Sequence, residues 1–132
     1  MGPRGPRVDA GLPRAERLLA ILERDGAECV WCRRPFARVT LEPSLEHVIP
    51  RLKGGPAWPE NEVAACRPHN RARGHAAPSV WLDECESRGW QPRRDVIERR
   101  LLELRDAIAA RGGQRRARPY LDGQLRRLGL GG

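Results

Sequence analysis

Residues 29–74 read CVWCRRPFARVTLEPSLEHVIPRLKGGPAWPENEVAACRPHNRARG, and this stretch decides the fold of the 132-residue chain. It begins with Cys29-Val-Trp-Cys32 and, near its end, repeats the same spacing in Cys66-Arg-Pro-His69. A tight turn with this spacing delivers two ligands, and two such turns suit a tetrahedral zinc ion. We therefore predict a structural Zn²⁺ held by Cys29, Cys32, Cys66 and His69. The alternative is chance spacing of unrelated thiols.

Length and composition indicate a single small domain. Hydrophobic residues make up 39% and charged residues 32% of the chain, and no apolar run approaches the roughly 20 residues that cross a bilayer. The N-terminal sequence MGPRGPR is positively charged but is not followed by an apolar segment. We therefore predict no secretory signal, a cytoplasmic location and no membrane partner. In that compartment metal binding explains four cysteines better than disulfides do.

Hydrophobic periodicity and turn residues predict mostly helices around a small β element. Apolar and polar residues alternate over 37–41 and again over 45–49, and Pro43-Ser44 between them indicates a turn, so we predict a hairpin. Residues 50–59 begin and end with proline and contain Gly54-Gly55 and Pro56, which predicts a loop. Helices are predicted over residues 13–25, 66–73, about ten residues from an N-cap at Ser79, 92–110 and 119–128.

The residues between the two ligand pairs form a further pattern. Leu45-Glu46-His47-Val48-Ile49-Pro50 is followed by Gly54-Gly55, by Asn61 and by Asn70 after the second pair. In this order they resemble the HNH endonuclease family, whose core is a ββα-metal fold, over about a third of the chain. The resemblance implies an α+β fold with a small zinc-stapled ββα-metal core, flanked by an N-terminal helix and by C-terminal helices.

The resemblance also implies roles for single residues. His47 would be the general base that takes a proton from the attacking water. Asn61 would hydrogen-bond across the backbone of the loop and so orient His47. Glu46 and Asn70 would hold one catalytic divalent ion, Mg²⁺ or Mn²⁺. Because adjacent side chains on a strand point to opposite faces, Glu46 and His47 must lie at a strand end or a distortion.

Three positions depart from the usual family pattern. Glu46 stands where the family commonly has Asp, and His69 stands where it has a cysteine. Asn70 stands where the family commonly has His, and Asn is a variant that the family uses there. In a second register His69 would be the third motif residue, and zinc would then lack a ligand unless Cys85 served. We prefer the first register because it keeps the Cys-x2-His spacing, and we expect Cys85 to be a half-buried free thiol.

The excess of positive charge indicates a polyanionic partner and does not by itself distinguish DNA, RNA and a membrane surface. The net charge is +8, and residues 86–132 hold twelve basic and six acidic residues, a net +6. We divide the chain into a disordered segment (1–12), an HNH-like nuclease core with its N-terminal helix (13–78) and an arginine-rich helical extension packed on the core (79–132). Four basic residues flank the expected site and would contact neighbouring phosphates: Arg51, Lys53, Arg71 and Arg73.

These features together predict a metal-dependent DNA endonuclease that acts on double-stranded DNA with low sequence specificity. One active site per chain implies nicking, unless a homodimer or a protein partner for targeting brings two sites together. The main alternative is a non-catalytic zinc-containing nucleic-acid-binding module. A weaker alternative is an adaptor that binds another protein through its C-terminal helices.

Overall fold

The computed structural model describes residues 7–36 and 41–131. These residues form five α-helices and one two-stranded antiparallel sheet, which is an α+β fold as the sequence predicted. The elements in chain order are α1 (Arg14–Asp25), β1 (Pro43–His47), β2 (Glu62–Cys66), α2 (Arg67–Arg73), α3 (Pro78–Ser87), α4 (Arg94–Arg111) and α5 (Ala117–Arg127). Short 3-10 helices at Arg51–Lys53 and Pro59–Asn61 lie in the loop between the strands.

The sheet and α2 form a compact ββα unit. Strands β1 and β2 pair so that Pro43 lies opposite Cys66 and His47 lies opposite Glu62. Helix α2 starts directly after β2, and a proline in its first turn suits a helix start because that position needs no backbone N–H. The last residues of β1 therefore lie beside both the start of β2 and the packed face of α2.

The predicted hairpin is wrong in its pairing. Pro43 and Ser44 belong to β1 and do not form a turn, and the partner of β1 is β2. The first predicted strand falls mostly on residues 37–40, which lie outside the described residues. Strand β2 was not predicted because all five of its residues are buried, so it shows no alternation of apolar and polar residues.

The predicted helices are present, with ends that differ by one or two residues from the sequence prediction. The predicted cap at Ser79 is wrong, since α3 begins at Pro78 and its N-cap is Ala77. The Ser79 backbone N–H, which an N-terminal helical turn leaves free, donates instead to Gln124 Oε1 on α5 at 2.9 Å. A side chain from α5 thus accepts the hydrogen bond of a backbone N–H that the start of α3 leaves without a partner.

One hydrophobic cluster runs through the ββα unit and the C-terminal helices. Cys29 and Val63 belong to it together with Leu82, Leu101 and Leu125. A smaller cluster of Ile21, Leu45 and Ala64 fixes α1 on the opposite face of the sheet. Helices α3, α4 and α5 therefore share the core of the protein, and removing them would expose the apolar side of the ββα unit.

Candidate metal sites and active site

The four predicted zinc ligands lie together. One ligand atom from each of Cys29, Cys32, Cys66 and His69 lies within 4.8 Å of the others. Around a tetrahedral zinc ion with Zn–S distances of about 2.3 Å, neighbouring ligand atoms are about 3.8 Å apart, so this spacing fits. These side chains are positioned to bind a metal ion such as zinc.

Backbone groups and burial act in opposite directions on these thiols, since N–H donors stabilise the thiolate of Cys29 and burial stabilises the protonated thiol of Cys32. The backbone N–H groups of Trp31 and Cys66 donate to Cys29 Sγ at 3.4 and 3.2 Å. Burial, as the largest cause, raises the pKa of Cys32 to about 12. A thiol with that pKa keeps its proton at neutral pH unless a metal ion replaces it, so metal binding here must release protons.

The segment between α3 and α4 covers the ligand cluster. The Trp90 ring stacks on the His69 ring with centroids 3.9 Å apart and an interplanar angle of 24°. The backbone N–H of Arg93 donates to the Val30 carbonyl at 2.7 Å, and Arg33 Nε donates to the Gln91 carbonyl at 2.6 Å. The chain after α3 is therefore fastened to residues in and just after the Cys29–Cys32 turn by two hydrogen bonds that follow the stacked Trp90.

Cys85 is fully buried, so the expectation of a half-buried thiol is wrong. Burial raises the pKa of its thiol to about 12. Among the residues that the structure describes, the group of four ligand atoms contains His69 and not Cys85. This favours the register in which His69 is a metal ligand and Asn70 is the third motif residue.

The side chains of Glu46 and Asn70 lie against each other where β1 meets α2. One end of the Asn70 amide lies 3.0 Å from Glu46 Oε1, and the other lies 3.0 Å from Ser44 Oγ. With its nitrogen toward Glu46 the amide donates a hydrogen bond, and with its oxygen toward Glu46 the pair offers oxygen ligands to a cation. A shallow cleft of about 300 Å³, lined by Ser44, Arg67, Asn70 and Arg71, opens beside them.

Arg73 lies behind this pair, and its predicted contact with phosphate is wrong. It is 3% exposed, and its guanidinium donates to the carbonyls of His47 at 2.8 Å, Val48 at 2.6 Å and Ala76 at 3.0 Å. Arg73 Nη1 also lies 3.4 Å from Glu46 Oε2. Burial is the main cause that raises the pKa of Glu46, and the charge of Arg73 opposes the rise. Arg73 therefore holds the end of β1 on α2.

His47 points away from Glu46, toward β2 and α1. Its Nε2 lies 3.9 Å from Glu62 Oε2, and Glu62 is held by Arg17 through two hydrogen bonds of 2.7 and 2.8 Å. Burial is the main cause that lowers the pKa of His47, which keeps the ring neutral at neutral pH, while the charge of Glu62 opposes this. Within the described residues, no hydrogen bond or ion pair joins the His47 ring to Glu46 or Asn70.

Glu46 and His47 are the last two residues of β1, which is the strand-end position that the sequence required of them. These two adjacent residues belong to two different groups of side chains at the same end of the sheet. Glu46 joins Asn70 on the α2 side, and His47 joins Glu62 on the α1 side. A ligand that touches both groups has to lie across the end of the sheet.

Asn61 joins the two ends of the loop that follows His47. Its Oδ1 accepts from the Ile49 backbone N–H at 2.8 Å, and its Nδ2 donates to the carbonyls of Ile49 and Pro56, both at 3.0 Å. Gly55 packs directly on this arrangement, since a Cβ there would overlap the Ile49 carbonyl and lie 2.9 Å from Asn61 Nδ2. The side-chain amide of Asn61, which is buried, thus closes the loop. An effect of Asn61 on the orientation of the His47 ring stays a prediction.

Exposed cations surround the end of the sheet. Arg51 and Lys53 are exposed on the loop, and Arg71 is exposed on α2. Arg116 at the start of α5 donates to the Leu52 carbonyl at 2.5 Å, which brings α5 beside the loop. Arg88, directly after α3, and Arg94 and Arg105 on α4 pair with acidic side chains. In residues 7–36 and 41–131 we find no acidic partner for these cations: Arg51, Lys53, Arg71, Arg115, Arg116, Arg118, Arg126 and Arg127.

Glu62 and Arg17 are the residues that the sequence analysis missed. Glu62 faces His47 only because β1 pairs with β2, and β2 has no alternating pattern to reveal it. A charged residue in an otherwise apolar run, EVAAC, was the available sign, because a buried carboxylate needs a partner.

Comparison with protein-family models, curated proteins and solved structures finds no significant match to this chain. The resemblance to the HNH family therefore stays a prediction from the motif residues. Across the part of the chain that the structure describes, none of the helices is long and apolar enough to cross a membrane.

Proposed function

We propose that this chain is a metal-dependent DNA endonuclease of the HNH type. The observation that carries the proposal is the contact between Glu46 and Asn70 at the junction of β1 and α2, with His47 as the next residue at the strand end. A carboxylate and an amide oxygen are ligands that Mg²⁺ or Mn²⁺ accepts, and phosphate oxygens and waters complete such a shell.

The chain's own residues would divide the work of phosphodiester hydrolysis. Glu46 and Asn70 would hold the divalent ion, which supplies charge neutralisation at the phosphate and the leaving oxygen. His47, kept neutral by burial, would accept the proton of the attacking water. The Cys29, Cys32, Cys66 and His69 group would bind a structural Zn²⁺ that holds the start of α2, and with it Asn70, in place.

The cations around the sheet end support double-stranded DNA as the substrate. Arg51 and Lys53 lie on one side of the proposed site and Arg71 lies on the other, and all three are exposed. Phosphate contacts of this kind position a duplex without reading its sequence, so we expect low sequence specificity. One site per chain leads us to expect nicking unless two copies, or a targeting partner, act together.

The test is a supercoiled-plasmid assay with Mg²⁺ or Mn²⁺ and the zinc-loaded protein. The wild type should convert plasmid to the open-circular form, and His47→Ala should be about 10²–10⁴-fold slower because it loses its general base. His75→Ala is the matched control, since His75 is exposed just beyond α2, and it should keep full activity. No cleavage with either ion, or equal cleavage by His47→Ala, rejects the proposal.

A non-catalytic nucleic-acid-binding module is the second candidate, and one observation favours it. Arg73 lies 3.4 Å from Glu46 and partly neutralises the carboxylate that a divalent ion needs. DNA binding that is independent of divalent ions, together with no cleavage, would support this candidate. The Glu46→Ala variant separates the two, because only the nuclease loses Mg²⁺-dependent activity in that variant.

A further inference from the structure

Glu62 is a buried carboxylate in the wall of the proposed site. Its side chain is fully buried, and Arg17 Nε and Nη2 donate to its two oxygens at 2.7 and 2.8 Å. Arg17 Nη1 also donates to the Leu12 carbonyl at 3.0 Å, so its guanidinium is fixed from both sides. Taking a carboxylate out of water is costly, and a carboxylate so firmly held has a defined direction for its remaining lone pairs.

Those lone pairs face His47. The two residues are register partners at the end of the sheet, and His47 Nε2 lies 3.9 Å from Glu62 Oε2. His47 Nε2 is buried and has no hydrogen-bond partner within the described residues. Since the His47 side chain is still 13% exposed, its solvent-facing part lies away from Nε2. This distance is about 1 Å longer than an ordinary N–H···O hydrogen bond, and catalytic hydrogen bonds are often long before substrate binds.

We propose that Glu62, held by Arg17, accepts the Nε2–H of His47 and thereby fixes the ring in the tautomer whose Nδ1 is free to take a proton. Glu62 is a positioning residue here, because it acts through His47 and touches no reacting atom. The catalytic meaning of this arrangement rests on the proposed nuclease function, whereas the tautomer of His47 does not depend on it.

Glu62→Gln tests the proposal directly. With the amide oxygen kept on Arg17 Nε, the NH₂ group takes the place of Oε2, faces His47 Nε2 and replaces an acceptor with a donor. We expect ¹⁵N NMR of the zinc-loaded full chain, at about pH 8 where histidine is neutral, to change His47 from the Nε2–H to the Nδ1–H tautomer. Plasmid nicking should show a kcat about 10–100-fold lower with an unchanged KM, as for other residues that orient a reacting group.

Asp25→Asn is the matched control, since Asp25 also forms a two-bond pair with an arginine, Arg24, but does not contact His47. It should leave both the tautomer and kcat unchanged. If Glu62→Gln does not fold, as judged by melting temperature and zinc content, Arg17→Lys replaces it. Lysine holds one carboxylate oxygen only, so kcat should fall several-fold at constant KM.

Two results would overturn the inference. One is an unchanged His47 tautomer in folded Glu62→Gln, which rejects it whatever the nuclease assay gives. The other is an unchanged kcat in Arg17→Lys. A double variant adds a further check: with His47→Ala already present, Glu62→Gln should cause no further loss of activity, and a full additional loss would assign Glu62 a separate role. A tautomer change without nuclease activity would sustain the arrangement and reject only the proposed reaction.

Discussion

Replacing Arg73 and, separately, Arg71 tests which arginine stabilises the fold and which one contacts phosphate. In Arg73→Met the side chain keeps similar length but loses three hydrogen bonds, of which those to His47 and Val48 measure 2.8 and 2.6 Å. It also leaves Glu46 without the guanidinium that lies 3.4 Å away. Breaking a buried charged arrangement from one side costs about 3–5 kcal/mol, which is a large part of a typical unfolding free energy of about 5–15 kcal/mol.

The measurement is denaturant unfolding, followed by tryptophan fluorescence at one fixed free zinc concentration so that metal binding adds equally to both proteins. Arg71→Met is the matched control, because Arg71 lies two residues away on the same helix and is exposed. We expect it to change the unfolding free energy by less than about 0.5 kcal/mol. Stabilities that differ by less than about 1 kcal/mol between the two variants would refute the structural role of Arg73.

DNA binding provides the second half of this test. Losing one phosphate contact reduces the slope of log affinity against log salt concentration by about 0.9. Arg71→Met should show that reduction, whereas Arg73→Met, measured where it is still folded, should keep the wild-type slope. A reduced slope in Arg73→Met, with the wild-type slope kept in Arg71→Met, would mean that the Arg73 guanidinium contacts DNA.

Further predictions concern the metal, the loop, the tail and pH. Cys29→Ser should lose zinc measured by elemental analysis, Cys85→Ser should keep it, and zinc binding should weaken as pH falls because the thiols must give up protons. Gly55→Ala should lose about 1–3 kcal/mol of unfolding free energy, because its Cβ would overlap the Ile49 carbonyl. Gly123→Ala should gain about 0.4–1 kcal/mol, because only the end of a flexible arginine lies within 4 Å of its Cβ. Replacing Arg115 and Arg118 together by glutamine should reduce the salt slope of DNA binding by about 1.8, while Arg94→Gln, which breaks an ion pair with Glu86, should not. Nuclease rate should stay constant on acidification until pH falls through the lowered pKa of His47, below the ordinary 6.5, where the ring becomes protonated.

Each of these expectations has a clear contrary result. Zinc retained by Cys29→Ser would remove that ligand from the set. Equal stability of Gly55→Ala and wild type would mean that the loop opens without cost. An unchanged salt slope after replacement of Arg115 and Arg118 would make these two arginines irrelevant to binding. A rate that falls through a pKa above 6.5 would contradict a buried, neutral His47.

The sequence predicted the metal ligands well because their geometry is local. A Cys-x2-Cys or Cys-x2-His turn brings its two ligands together without help from the rest of the fold, and the remaining step is to join two such turns. The helices were predictable for a similar reason, since apolar residues such as Leu101, Leu104 and Ile108 recur at helical spacing and are buried.

Arg71 and Arg73 mark where sequence patterns fail. Both occur in the motif RAR and look equivalent as charges, yet residues two apart on a helix point to nearly opposite sides. Arg73 shares its side with Asn70, three residues earlier, so both meet Glu46. Glu62 was hidden for a different reason, because its neighbour His47 lies across a strand pair that only tertiary structure defines.

The stacking of Trp90 on His69 has a consequence for how fast a metal ion can leave. Ligand exchange at zinc needs an incoming donor to approach, and here the indole lies 3.9 Å from the imidazole while the Arg93 N–H holds the following chain on the Val30 carbonyl. A chelator that approaches past His69 must therefore wait for residues 90–93 to lift. Metal loss by this route requires a local opening of the polypeptide, so its rate by this route should be independent of chelator concentration once chelator is in excess.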